Sequence, residues 1–83
     1  MNDIDPKVSR AIIAVLKHTG RARPLGVRPL TTFVNGELRA PVDADAVQAH
    51  LSDLEKRGYV ERRANTFNPS VIEWIITPSG DAV

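Results

Sequence analysis

His18 and His50 are the two side chains of this sequence that ordinarily exchange protons near neutral pH, and neither has a carboxylate or a nucleophile at a spacing that makes a catalytic pair. His50 follows Val47 by three positions in a helical pattern, so it reads as a boundary residue packed against a core. There is no cysteine, which removes disulfides and thiolate metal sites, and other metal ligands would have to converge from distant positions. The five glycines are scattered, so no glycine-rich phosphate loop follows a strand. Neither enzyme chemistry nor a metal, cofactor or small-molecule substrate is expected. What remains is recognition by charge and hydrogen bonding. Arg21, Arg23, Arg28 and Arg39 face only Glu37 within residues 21–40, whereas Asp43, Asp45, Asp53 and Glu55 outnumber Lys56 and Arg57 within residues 41–58. The net charge is only +1, well short of the basic balance that usually marks nucleic-acid binding. The segregation of charge along the chain says more than its sum.

The elements that must position these groups follow from patterning. With 83 residues, 42% hydrophobic and 25% charged, the chain fits one globular domain over residues 1–83. The longest apolar run, Ala11 to Leu16, is too short to span a bilayer, and Asp3 and Asp5 stand where a signal peptide would be basic. A complete small cytoplasmic protein is expected. A helix over 5–19 is predicted: Asp5 caps it, Pro6 suits its first position and Gly20 closes it. Ile4, Val8, Ala11, Ile12, Val15 and Leu16 form its core stripe. Ile13 falls outside the stripe, either as a tolerated exposed residue or as part of a second apolar surface for dimerisation.

Residues 20–30, with two prolines and a glycine, read as a loop. Residues 30–40 admit two readings. Thr31 could cap a short helix carrying Phe33, Val34 and Leu38, or Asn35-Gly36 could turn a β-hairpin. A helix over 44–57 follows, capped by Asp43, with Asp45 in its first turn and Val47, Leu51 and Leu54 on one face. Gly58 stops it. Strands over 59–63 and 71–77 flank a loop, and strict alternation puts Ile72, Trp74 and Ile76 on one face, with Val71, Glu73 and Ile75 on the other.

The run Val47, Leu51, Leu54, Glu55, Arg57, Gly58, Tyr59, Val60 resembles the recognition helix and its exit in MarR-, ArsR- and PadR-type regulators. Trp74-Ile75-Ile76-Thr77 followed by Gly80 is similar to the strand that closes their wing. The resemblance covers residues 42–80 and, more generally, the first helix. It implies an α+β fold, a winged helix-turn-helix of three helices plus a C-terminal two-stranded β-wing. It also favours a helix over 31–39, from which Asn35-Gly36 is a departure.

The function this implies is duplex DNA binding in transcriptional regulation, with the second long helix in the major groove. On that helix Gln48 suits adenine, Ser52 a base edge or phosphate, and Lys56 a phosphate. Arg62 and Arg63 at the wing base, and Arg21 and Arg23 after the first helix, are further phosphate contacts. A homodimer would double this footprint. The alternative is a protein-interaction adaptor, using an apolar wing face with Val71 and Ile75.

Overall fold

The computed structural model describes residues 4–20 and 23–83. Helix α1 spans Pro6–Thr19. The Asp5 carboxylate accepts the Lys7 N–H at 2.9 Å, Pro6 occupies the first turn, and Gly20 ends the helix at φ 70° while donating its N–H to the Leu16 carbonyl. Ile13 is buried at 8% exposure within the core cluster, alongside Val8, Ala11, Ile12, Val15 and Leu16. The apolar stripe of α1 is thus wider than its sequence periodicity indicates. Helix α3 and the chain after it also pack on this side, for Ile13 shares a surface hollow with Leu54 and Tyr59. The domain itself covers Ile13, which leaves no exposed second apolar surface at that position.

The stretch 20–30 is more than a loop. Leu25–Gly26 form a short strand, β1, and helix α2 runs Val27–Glu37, starting four residues before Thr31. Gly26 is its N-cap, and Pro29 falls in the first turn, where a missing N–H breaks no helical hydrogen bond. Thr31 lies inside the helix, its hydroxyl bonded to the Val27 carbonyl at 2.6 Å. Asn35-Gly36 does not turn a hairpin, because a hairpin of that kind needs positive φ and, among the described residues, only Gly20 and Gly58 have it. The Asn35 amide instead pairs with the backbone of Val42 in both directions, accepting its N–H at 2.9 Å and donating to its carbonyl at 3.0 Å. This clamp fixes the turn that feeds the next helix.

Helix α3 spans Ala44–Lys56, and the Asp43 carboxylate accepts the Ala46 N–H at 2.8 Å. Its inner face buries Val47, His50, Leu51 and Leu54. His50 is 4% exposed and uses both ring nitrogens: Nδ1–H donates to the Ala46 carbonyl at 2.6 Å, and Nε2 accepts the Asp5 N–H at 2.9 Å. That network assigns the neutral Nδ1–H tautomer. The helix closes on Gly58 at φ 82°, with Tyr59 N–H bonded to the Leu54 carbonyl and Gly58 N–H to the Glu55 carbonyl, a Schellman ending.

Strands β2 (Val60–Ala64) and β3 (Ile72–Ile76) form the wing. Among the described residues the sheet has three strands, not two, because β1 pairs antiparallel with the other edge of β3, giving the order β1-β3-β2. Leu25 and Arg62 therefore flank Trp74 from opposite sides. Trp74, Ile75 and Ile76 are all buried, so both faces of β3 are covered at its base. Ile75, expected on an open face with Val71, has no exposed surface, and only the distal end with Val71 and Ile72 is open. A final turn, α4 (Pro78–Asp81), locks onto the exit of α3: Thr77 N–H bonds the Tyr59 carbonyl and the Thr77 hydroxyl bonds the Gly58 carbonyl at 2.6 Å.

Gly80 lies so close to Tyr59 that a Cβ there would meet its carbonyl oxygen at 2.1 Å. Gly80→Ala is expected to cost about 1–3 kcal/mol, read as a Tm drop of roughly 4–8 °C per kcal/mol. Asn35→Ala leaves both Val42 backbone groups without their partner and is expected to cost about 1–3 kcal/mol. A lower urea midpoint and faster hydrogen exchange at the Val42 amide would report it.

Candidate nucleic-acid interface

Opposite its buried face, α3 presents Gln48, Ser52 and Lys56, each four residues after the last and so aligned along one side of the helix. Gln48 and Lys56 are exposed and Ser52 is half-buried. The acidic residues of this segment oppose an anionic ligand, and two of the four, Asp53 and Glu55, are ion-paired within the domain. Asp43 caps the helix, Asp53 pairs with Arg57 Nε at 2.9 Å, and Glu55 is bound by Arg62. Asp45 stays exposed in the first turn, where it suits the helix dipole.

The Glu55–Arg62 contact joins α3 to the wing. Arg62 Nε and Nη2 bond the two Glu55 carboxylate oxygens at 2.9 and 2.8 Å, the forked geometry of a strong charge-assisted pair. The hydrogen bond from Arg62 holds the Glu55 carboxyl below the usual carboxylate range, against a smaller opposing effect of burial. The same bond raises the guanidinium above its ordinary value. The Arg62 guanidinium carbon also stands 5.4 Å from the centre of the Trp74 ring, within cation–π range.

Arg62 and Arg63, grouped by sequence, lie on opposite faces of β2, since successive strand residues alternate. Arg62 turns toward α3 and Trp74. Arg63 turns away, with a long 3.9 Å contact to Glu61. Arg23 is exposed just before β1, and Arg21 lies outside the described residues. The structure thus brings Gln48, Ser52, Lys56 and Arg62 to α3 and its border, and leaves Arg63 apart from them.

A cation that sequence reasoning did not assign to the site joins this group. Arg28, in the first turn of α2, is exposed and lines one groove with Gln48, Val71, Ile72 and Trp74. Pro29 made this stretch look like a loop, and nothing local signalled that a helix start would stand beside α3.

No protein-family model and no curated protein sequence matches the chain. Solved structures do match it. A MarR-family transcriptional regulator from Silicibacter pomeroyi aligns with TM-score 0.73 and 20% identity, over 92% of this chain and 44% of that one. MepR of S. aureus, solved as a complex with DNA, aligns with TM-score 0.75 and 15% identity, over 96% of this chain and 58% of that one. FabT of Streptococcus pneumoniae, also in complex with DNA, aligns with TM-score 0.68 and 22% identity, over 96% of this chain and 49% of that one. The chain spans about half the length of these regulators. Its helices, the closed turn between α2 and α3 and the antiparallel wing make an α+β winged helix-turn-helix, the fold it shares with MarR-family transcriptional regulators.

Proposed function

We propose that this domain binds duplex DNA, with the Gln48–Ser52–Lys56 side of α3 in the major groove, and acts in transcriptional regulation. The observation that carries this reading is the state of α3 itself. Its outward side offers a hydrogen-bonding stripe beside Arg28, while Asp43, Asp53 and Glu55 are engaged within the domain. The DNA complexes of MepR and FabT, which share the fold, support the same reading. Gln48 can pair with adenine through its amide, Ser52 can bond a base edge or phosphate, and Lys56 and Arg28 supply phosphate contacts. Arg23 and Arg63 are exposed and serve at most as peripheral phosphate contacts. The adaptor reading loses much of its motivation with Ile75 buried. A pair of copies would present two such stripes to a two-fold symmetric site.

Anisotropy titration with random-sequence duplex at low salt tests the reading. Affinity is expected to fall steeply as salt rises, and no binding at low salt would sink it. Lys56→Ala and Arg28→Ala should each weaken binding uniformly across sequences and lower the logarithmic salt slope by about 1. Gln48→Ala should leave that slope unchanged and cost about 1–3 kcal/mol on the preferred site only. Sedimentation of the complex reports whether one or two copies occupy that site.

A further inference from the structure

Helix α1 has no acidic residue from Pro6 to Thr19, and its exposed side includes Lys7 and Arg10. Arg39, exposed in the turn after α2, lines the same groove, an opening of about 630 Å³ between α1 and the α2–α3 turn. The groove has an apolar floor. Ala11 and Ala14 lie about one turn apart on α1, and Leu38 and Pro41 supply the other wall. That wall is fixed, because the Asn35 amide holds the backbone of Val42 in both directions. Among the described residues the ion pairs are Asp53–Arg57, Glu55–Arg62 and Glu61–Arg63, so the three cations of the groove have no acidic partner there. Of the two acids that line it, Asp5 turns its carboxylate to the Lys7 N–H, and Glu37 is exposed.

We propose that this groove docks an acidic amphipathic helix of another protein, with its carboxylates toward Lys7, Arg10 and Arg39 and its apolar side chains on Ala11 and Ala14. The charge of the rim selects an acidic partner. The floor selects a protein over a nucleic acid, because a sugar-phosphate backbone brings no apolar side chains to fill it and is repelled by Glu37. Small residues at positions 11 and 14 let a second helix come close, and the stretch from Lys7 to Ala14 is about 10 Å long, roughly two turns of a partner helix. A contact of that length falls well below the standard protein interface of about 1,600 Å², so the docking is weak and reversible. It does not depend on the reading of α3. The groove shares no lining residue with the one that holds Gln48 and Arg28, and the two can be filled together.

The test is an NMR titration of the isotope-labelled protein with a capped helical peptide of about 14 residues, carrying Leu at helical spacing along one side and Glu elsewhere. Amide shifts are expected at Ala11, Ala14 and Leu38, with Gln48 and Ser52 unmoved. Arg10→Ala and Arg39→Ala should each weaken binding about two- to fivefold, whereas Glu37→Gln should strengthen it. Ala14→Glu should abolish binding by placing a carboxylate on the floor. Ala14 is exposed, so this change leaves the fold intact, which circular dichroism checks. No shift at millimolar peptide overturns the docking site. Equal binding by the same peptide with every Leu replaced by Ser overturns it as well, since the contact is then charge alone. A random-sequence duplex that moves these three amides more than the peptide does overturns it in favour of a general polyanion surface.

Discussion

Trp74 is where the separate pieces of this chain become one object. It is 1% exposed at the middle of the central strand, flanked by Leu25 on one side and Arg62 on the other. Leu25 brings in the segment that begins α2. Arg62 lays its guanidinium against the ring and grips Glu55 on α3. One large aromatic residue thus sets the start of α2 and the wing against each other, and through Arg62 it sets the wing against α3. A domain of 83 residues buries only about 60–65% of its unfolded surface, so a residue that organises three elements at once carries unusual weight. The exit of α3 adds a second constraint. Gly58 reverses the chain, and Thr77 and Gly80 close over Tyr59 with no space for a further methyl group.

This packing also changes how the charge of the molecule should be read. A net charge of +1 argues against a polyanionic ligand only if every charge is available to it. Asp53 and Glu55 are held by Arg57 and Arg62, and Asp43 is turned to the backbone of α3. These interactions are modest in energy at a surface, on the order of a few tenths to 1 kcal/mol each. Their effect on the field around α3 matters more than their effect on stability, because Asp53 and Glu55 are balanced by Arg57 and Arg62, Asp43 and Asp45 keep their charge at the start of the helix, and Lys56 and Arg28 remain exposed.

Features set by short-range rules were legible in the sequence. Asp5 and Asp43 cap their helices, Gly58 ends α3, and Leu51 and Leu54 face inward, each because a local chemical need is met within a few residues. Features set by distant partners were not. Asn35-Gly36 carries a strong hairpin signal, yet Asn35 finds a better use across the turn at Val42. Leu25–Gly26 is strand only because the edge of β3 is there to receive it. Ile13 and Ile75 are buried by elements that no periodicity in their own segments could reveal. At the candidate site the aligned stripe on α3 was visible as helical spacing. The engagement of Glu55, the opposite faces of Arg62 and Arg63, and the approach of Arg28 all depend on how the wing and α2 fold back against α3.

The bidentate contact between Glu55 and Arg62, with the buried Trp74 ring beside it, sets the wing against helix α3 in one arrangement. In that arrangement helix and wing present their outer sides at a set span. A duplex whose groove dimensions match that span meets both surfaces without distortion, whereas one that does not must itself deform. For a protein reading DNA in this way, selectivity would come in part from the stiffness of base steps it never touches.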